Sequence, residues 1–300
     1  MTVPFLLGTF SVAGCPPFAG VVIEDCVIAV TALQPFCQDL GRQLNGPETV
    51  FGLVQDWERN FPVLRASLVE LLNRGLQSVA SIKLDQMTIH APVLYPRQVI
   101  CADFTTRQVN IILPSTIIGP YDPILVPGPG PQASWEMELA IIIGKPGRHI
   151  LRSQALAHVA GYMIANDITS SSEGESEPGL ANGVTWLLKQ GKPGILAMGP
   201  YLVPAAFVPD LELLHTSIKH NNQVLQNADS LNLEFGVPQL VEEIFANISL
   251  WPGDVICAGP LKTQGTNLRR RLQPGDQLEL AIDGLGTQRN QCIAEKAAEI

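Results

Sequence analysis

Along the first 38 residues, short apolar runs alternate with turn-forming residues, a pattern typical of strands. The stretch FAGVVIEDCVIAV, residues 18–30, has Glu24 and Asp25 between two runs rich in β-branched residues. A short polar break between two such runs is typical of a hairpin turn. The pattern therefore predicts two antiparallel strands close to the N-terminus.

Residues 47–75 have a different period, with apolar side chains recurring three and four positions apart. This spacing predicts a helix with one apolar face. Pro47 lies near its expected start, Pro62 is expected to break it, and Gly75 is expected to end it. Together with the strands, this helix predicts a small α+β domain over residues 1–92.

From residue 93 to residue 300, Gly and Pro recur at short intervals between short apolar runs. Such spacing predicts a mostly β, irregular roll. Residues 238–248 have a helical pattern and are predicted to form a helix within this roll. The expected fold class is therefore mostly β with some α, with residues 93–300 as a second domain.

Composition and charge narrow the range of functions. The 300 residues are 46% hydrophobic and 16% charged, which is enough to build a folded core. The formal net charge of −9 argues against nucleic-acid binding, because a phosphate backbone would be repelled. No apolar stretch is long enough for a membrane span, and no basic segment typical of a signal peptide begins the sequence. We therefore expect a soluble, cytoplasmic protein that binds neither nucleic acid nor membranes.

The six cysteines have no CxxC spacing, and the chain is large enough to fold without disulfides. They are interpreted as small buried apolar residues, in preference to disulfide partners or zinc ligands. They are Cys15, Cys26, Cys37, Cys101, Cys257 and Cys292.

Two glutamates interrupt an otherwise apolar strand in SWEMELAIIIG, residues 134–144. Residues two apart in a strand project to the same face, so Glu136 and Glu138 point the same way and repel each other. A divalent cation such as Mg²⁺ or Mn²⁺ would offset this repulsion, and Asp167, at the end of another apolar strand, offers a third carboxylate. On residue types alone, a solvated strand end explains the glutamates at least as well as a metal site.

Several motifs resemble those of the fumarylacetoacetate hydrolase superfamily. WEMELAIIIGKPGRHI and ALAHVAGYMIANDIT are similar to its hallmark segments, and VICAD, PSTIIGPYDPI and PGDVICAG follow in the family's order. The resemblance implies a mixed β-roll catalytic domain and a homodimer. It also implies a divalent metal, Mg²⁺ or else Mn²⁺ or Ca²⁺, held by Glu136, Glu138 and Asp167. Members of this family hydrolyse β-diketones, decarboxylate or tautomerise keto acids, or hydrate dienoates.

The sequence departs from the hydrolytic members of that family. In those members a His-Glu pair, on a segment just after the strand that matches VICAD, activates a water molecule. Here the segment is shortened, and Arg107 and Asn110 lie nearest to the expected pair. The histidines elsewhere are interpreted as structural or solvated. Ile112 and Pro260 replace a lysine and a threonine of the family's substrate-binding motifs.

Other polar residues are therefore the candidates for acid–base and substrate roles. Lys189 and Lys192 flank Gln190, where the family often has a lysine, and Lys262 and Thr263 follow the altered threonine motif. The candidates for proton transfer are Asp103, Lys189 and Lys192. The candidates for substrate binding are Arg107, Tyr121, Lys262 and Thr263.

These features predict a metal-dependent enzyme that acts next to a carbonyl of an enolisable keto acid or 1,3-dicarbonyl through a metal-stabilised enolate. A non-hydrolytic reaction is favoured: a lyase, a tautomerase, or a C–C bond-forming or cyclising step of biosynthesis. The alternatives are an acylpyruvate or diketone hydrolase or an oxaloacetate decarboxylase, and a non-catalytic dimer with the same fold.

Overall fold

Strands make up most of the regular structure. A computed structural model describes residues 3–103, 108–126, 132–171, 194–231, 233, 235–261 and 271–295, with the backbone alone at residues 103, 108, 132 and 169–171. Its strands are β1 (Leu6–Ser11), β2 (Phe18–Ile23), β3 (Cys26–Ala29), β4 (Ile82–Lys83), β5 (Thr88–His90), β6 (Val99–Asp103), β7 (Gln108–Ile112), β8 (Ile117–Ile118), β9 (Ile124–Val126), β10 (Gln132–Ile143), β11 (Val159–Ser171), β12 (Leu196–Pro204), β13 (Thr216–His220), β14 (Gln223–Ala228), β15 (Val255–Ala258), β16 (Gln277–Ile282) and β17 (Gly286–Ala294).

The strands form two sheets. The larger sheet has the order β4-β3-β2-β1-β12-β11-β10-β15-β6-β7, with β5 beside β1 and β8 beside β12. The smaller has the order β14-β13-β16-β17-β9. The prediction of a mostly β fold is therefore confirmed. Because β1 pairs directly with β12, with Leu7 opposite Leu202, the N-terminal strands continue the larger sheet. The division into domains at residues 92 and 93 stays a prediction.

The N-terminal hairpin forms as predicted. β2 and β3 pair antiparallel around Glu24 and Asp25, and Glu24 adopts the left-handed conformation with φ of 56°. The prediction of strands throughout residues 1–38 is wrong at its end, because Gln34–Asp39 form a helix, α1. Pro35 lies in the first turn of α1, where its missing N–H costs no hydrogen bond.

The helical prediction for residues 47–75 is correct in type but wrong about the break. Helices α2 (Val50–Gln55) and α3 (Trp57–Arg74) meet at Asp56, and Pro62 lies inside α3. Gly75 ends α3 in the left-handed region, with φ of 89°, as predicted. The predicted C-terminal helix is α4 (Val237–Asn247).

Side chains of α3 and the preceding loop set the junction between α2 and α3. The buried Asn60 amide donates to the carbonyls of Asn45 and Leu53, and its oxygen accepts from the Asn45 backbone N–H. The Asn45 side chain in turn donates to the Asp56 carboxylate at 2.6 Å. These hydrogen bonds explain why the chain bends at residue 56.

The two sheets are joined by a buried glutamine of β17. Gln288 is fully buried, and its amide nitrogen donates to the carbonyls of Ile164 and Gly199 at 3.0 Å and of Ala197 at 3.3 Å. These carbonyls belong to β11 and β12, so one side chain links the smaller sheet to the centre of the larger one.

The centre of the larger sheet is apolar on both faces. Leu139–Ile143 of β10 and Met163–Ala165 of β11 are fully buried. The buried central strands β10 and β11 therefore give a rigid support to the polar residues at their ends.

No helix within the described part of the chain is both long and apolar enough to cross a membrane.

Candidate metal centre

The pairing of β10 with β11 brings the three predicted metal ligands onto one face of the sheet. The register sets Glu136 opposite Asp167 and Glu138 opposite Ala165. Directly opposed residues in an antiparallel pair project to the same face, and residues two apart do so as well. The three carboxylates therefore share a face, whereas Trp135 and Met137 point to the other face and are buried.

Burial and mutual repulsion make this group of carboxylates costly without a counter-charge. Glu138 is only 4% exposed, and Glu136 and Asp167 are half-buried. The pKa of Asp167 is raised to about 7, first by burial and second by the negative charge of Glu136. A cation beside these oxygens would remove both effects, because it favours the ionised carboxylates.

A glycine next to Glu138 leaves the room that its carboxyl group occupies. On the other side of β10, Ala258 of β15 lies opposite Leu139, and the N–H of Leu261 donates to the Met137 carbonyl. Gly259 consequently faces Glu138, and a Cβ atom built on Gly259 would overlap the Glu138 carboxyl group. Only glycine permits the observed position of this carboxylate.

Two thiols that were not predicted as site residues border the same carboxylate. Cys101 of β6 and Cys257 of β15 are buried, and their sulfur atoms and an oxygen of Glu138 all lie within 4.8 Å of one another. The pKa of Cys101 is raised well above its usual range, first by its hydrogen bond with Cys257, then by burial and by the charges of Glu138 and Asp167. The thiol pair is therefore electrostatically coupled to the carboxylates.

The sequence carried a signal for this thiol pair. The tetrapeptide VICA occurs at residues 99–102 and again at residues 255–258. The two copies pair in parallel and in register, with Cys257 opposite Cys101. The interpretation of the cysteines as buried is confirmed for Cys37, Cys101, Cys257 and Cys292, but it is wrong for Cys15, which is exposed, and for Cys26, which is partly exposed. All six cysteines are free thiols. Because Cys101 and Cys257 lie beside Glu138, they belong to the candidate metal centre, which their burial alone does not indicate.

Most predicted catalytic and substrate-binding residues cannot be placed relative to the carboxylates. Arg107, Lys189, Lys192, Lys262 and Thr263 lie outside the described residues. Their roles stay predictions.

Two further candidates are placed in part. Asp103 ends β6, two residues beyond Cys101 on the same strand, but only its backbone is described. Tyr121 is 42% exposed, and its hydroxyl group donates to the Thr287 carbonyl of β17 at 3.0 Å. The pKa of Tyr121 is raised by burial and lowered in part by Arg289. The hydroxyl group of Tyr121 thus bonds to the smaller sheet, and its substrate role stays a prediction.

An apolar cavity lies beside the carboxylates. It has a volume of about 20 Å³, room for about one water molecule. Its described lining is Ala102, Leu233, Phe235, Leu240, Ala258, Gly259 and Pro260. A larger cavity of about 350 Å³ lies on the smaller sheet, lined by residues such as Lys219, Glu279 and Arg289, and its described lining contains none of the three carboxylates. The described lining of the smaller cavity also contains none of the three carboxylates, but it includes Gly259, which lies against Glu138.

Two histidines have structural partners, which agrees with their interpretation. His90 forms a hydrogen bond of 2.7 Å with the Ser11 hydroxyl group, and His158 one of 3.0 Å with the Lys145 carbonyl. Both bonds connect elements of the fold, so these two rings are held by the scaffold.

Comparison with known proteins agrees with this architecture. The sequence profile of the fumarylacetoacetate (FAA) hydrolase C-terminal domain matches residues 101–293. The chain therefore belongs to the fumarylacetoacetate hydrolase family.

Among curated relatives, the mitochondrial oxaloacetate tautomerase of Rattus norvegicus is 30% identical over 272 residues, which are 81% of this chain and 84% of that protein. The 2,4-didehydro-3-deoxy-L-rhamnonate hydrolase of Sphingomonas sp. (strain SKA58) is 31% identical over 180 residues, which are 59% of this chain and 61% of that protein. The relatives with similar sequences thus include a tautomerase and a hydrolase.

Solved structures show the same fold. Maleylpyruvate hydrolase from Sphingobium sp. SYK-6, in complex with manganese(II) and pyruvate, matches with a TM-score of 0.74 and 24% identity, over 97% of this chain and 100% of that one. A probable 2-hydroxyhepta-2,4-diene-1,7-dioate isomerase from Mycobacterium abscessus matches with a TM-score of 0.69 and 27% identity, over 99% of this chain and 100% of that one.

Proposed function

We propose that this chain is a divalent-metal-dependent enzyme that acts next to a carbonyl group of a keto acid or 1,3-dicarbonyl without hydrolysing it. The observation that carries the proposal is the register of β10 and β11, which sets Glu136, Glu138 and Asp167 on one face. Such a convergence of buried carboxylates is costly unless a cation lies among them. A solvated strand end, the alternative interpretation, does not explain why Glu138 is only 4% exposed.

The donor set fits a hard cation. Three carboxylates supply the oxygen ligands that Mg²⁺ and Mn²⁺ prefer, and Gly259 leaves space beside one of them. When bound, such an ion supplies positive charge that stabilises the oxygen anion of an enolate. In this proposal Glu136, Glu138 and Asp167 would hold the ion on the face of the sheet that they share.

Among non-hydrolytic reactions we favour keto–enol tautomerisation of a 2-oxo dicarboxylic acid. This reaction moves a proton between carbon and oxygen and needs no activated water, so the absence of the family's His-Glu pair from the sequence does not prevent it. The 30% identity to an oxaloacetate tautomerase supports this choice. Lyase and C–C bond-forming reactions pass through the same kind of enolate and remain within the proposal.

The proton and the substrate carboxylates require further polar groups. We assign proton transfer to Asp103, Lys189 and Lys192, because carboxylate and amine groups can accept and donate protons. Arg107, Tyr121, Lys262 and Thr263 are assigned to substrate binding, because cationic and hydroxyl groups suit a substrate carboxylate.

The second candidate function is hydrolysis of an acylpyruvate or diketone, or decarboxylation of oxaloacetate. The 31% identity to a sugar-acid hydrolase over 180 residues favours it. It would need a water-activating base other than the His-Glu pair. The third possibility is a dimer of the same fold without catalytic activity.

One set of assays separates these functions. The purified chain, freed of metal and then supplied with Mg²⁺ or Mn²⁺, is given enol-oxaloacetate, and the decay of the enol absorbance in the ultraviolet is followed. Oxaloacetate decarboxylation and acylpyruvate cleavage are measured on the same preparation. We expect metal-dependent tautomerisation well above the uncatalysed rate. Cleavage of acylpyruvate at ordinary enzyme rates would favour the second candidate, and no turnover with firm metal binding would favour the third.

A matched pair of variants links the activity to the carboxylates. Glu136→Gln removes one ligand charge and should lower the rate at least a hundredfold with nearly unchanged size and shape. Glu212→Gln changes an exposed glutamate of the connection before β13 and should leave the rate unchanged. Equal rates for both variants would refute the assignment of Glu136.

We further propose a homodimer located in the cytoplasm. The homodimer follows from the family resemblance alone, and light scattering of the purified chain would test it. Several curated relatives carry names that place them in mitochondria. Fractionation of cells that express this chain would test its location directly.

A further inference from the structure

The geometry points to a second kind of metal site. We propose that Cys101, Cys257 and Glu138 bind a thiophilic d¹⁰ cation, Zn²⁺ or Cd²⁺, through two thiolates and one carboxylate. This site shares Glu138 with the all-oxygen site but uses ligands that a Mg²⁺ site has no need for.

The position of the two thiols follows from strand pairing. β6 and β15 pair in parallel, and Cys101 lies directly opposite Cys257. Opposed residues of neighbouring strands point to the same face, so both sulfur atoms lie on one face of the sheet. β10 lies on the other side of β15, and its Glu138 extends to the same place beside Gly259. Three strands thus contribute one ligand each.

The distances suit a zinc-sized ion. The two sulfur atoms and a Glu138 oxygen lie within 4.8 Å of one another. Zn–S bonds of about 2.3 Å in a tetrahedron set ligand atoms roughly 3.8 Å apart. Side-chain rotations that move the ligand atoms by less than about 1 Å would bring them to the separations of a tetrahedral site. The fourth position would be left open to a water molecule or a substrate oxygen.

The chemistry favours a soft cation over Mg²⁺ at these three residues. Thiolates bind Zn²⁺ and Cd²⁺ strongly and Mg²⁺ hardly at all. As the two metal–sulfur bonds form, each thiol releases its proton to solvent, and no electron is transferred.

Because Glu138 would serve both ion sites, occupancy of one should weaken the other. The thiolate site itself does not depend on the proposed tautomerase activity. Glu136 and Asp167 belong only to the all-oxygen site, so the two proposals can fail separately.

Titration of the metal-free full chain with Cd²⁺ tests the proposal. Binding by thiolates produces a sulfur-to-cadmium charge-transfer band in the ultraviolet, which carboxylates do not give. We expect one Cd²⁺ per chain, a band intensity that corresponds to two thiolates, and at least tenfold weaker binding for Cys101→Ser and for Cys257→Ser. Cys292→Ser, which changes a buried thiol of β17, is the matched control and should bind like the wild type.

A second comparison separates this site from the all-oxygen site. Glu136→Gln should weaken Mg²⁺ binding and leave the Cd²⁺ band intact. The proposal would be overturned if the wild type gave no band. It would also be overturned if Cys15→Ser or Cys26→Ser removed the band, since those cysteines are not buried. Finally, two thiols missing from a count in denaturant would show a disulfide, and the proposal would be overturned if peptide mapping assigned it to Cys101 and Cys257. The charge-transfer band and the thiol count of the wild type test the proposal even if a serine variant fails to fold.

Discussion

Replacement of Gly259 by alanine is the most direct test of how the fold positions Glu138. The added Cβ atom would overlap the carboxyl group of Glu138, which is 4% exposed and has little room to move. The backbone of Gly259 lies outside the left-handed region, so the alanine itself causes no backbone strain. The whole effect of Gly259→Ala should therefore come from displacement of the carboxylate.

Two magnitudes follow from this overlap. Insertion of a methyl group into a packed site costs about 1–3 kcal/mol of folding free energy. Displacement of a group that orients or forms a metal ligand lowers metal affinity by about 10–100-fold. We expect Gly259→Ala to show both effects at once, with the loss of affinity exceeding what the loss of stability would cause.

Isothermal titration with Mn²⁺ measures the affinity, and urea denaturation of the metal-free protein measures the stability. Gly236→Ala is the matched control, because a Cβ at Gly236 meets only the Pro238 Cδ atom at 3.7 Å, an ordinary contact. The reasoning would be refuted if Gly259→Ala bound Mn²⁺ as tightly as Gly236→Ala and the wild type. In that case the position of Glu138 would be irrelevant to metal binding.

Three further predictions concern stability. Burial, with the charge of Glu136, raises the pKa of Asp167 from its usual value of 3.8 to about 7, so between these pH values the folded state holds a proton that the unfolded state has lost. Asp276 and Glu279, whose pKa values are lowered by their partners, act in the opposite direction, so the contribution of Asp167 is measured as the difference between the metal-free wild type and Asp167→Asn. Relative to this variant, the melting temperature of the wild type should fall as the pH rises from about 4 to about 7, and a relative rise would contradict the assignment. Gln288→Leu leaves three buried carbonyls without their donor and should cost roughly 1–3 kcal/mol in urea denaturation, whereas Gln291→Leu on the exposed face of β17 should change little. Asn60→Leu should cost a similar amount, about 1–3 kcal/mol, and expose the α2–α3 junction to proteolysis, while the exposed Arg59→Ala should match the wild type.

Local sequence patterns predicted the elements that depend on local interactions. The hairpin of β2 and β3 and the helix α4 follow from patterns within about a dozen residues. The sequence pattern predicts a break at Pro62, whereas the helices α2 and α3 meet at Asp56. This error is understandable, because the bend is held by Asn45 and Asn60, whose contacts are not visible in a periodic pattern.

The candidate site was predictable to a similar extent. A period of two along one strand is enough to set Glu136 and Glu138 on a common face, the end of a second apolar strand offers Asp167 as a third carboxylate, and the family resemblance implies that the three hold a metal. The thiols of Cys101 and Cys257 were not connected to this site, since parallel pairing between distant segments is not encoded by either segment alone. The repeated VICA tetrapeptide was the available signal.

The order of strands in the larger sheet has a consequence for biosynthesis of the chain. β15 lies between β10 and β6, although both of these are translated long before it. About 150 residues separate β6 from β15, so at about 5–20 residues per second the ribosome needs roughly 8–30 s to bridge them. During that interval the edges of β6 and β10 that later pair with β15 have no strand beside them. A nascent chain that lacks β15 can therefore pair β10 with β11 and set the three carboxylates on one face, but it can neither close this edge nor bring Cys257 beside Cys101.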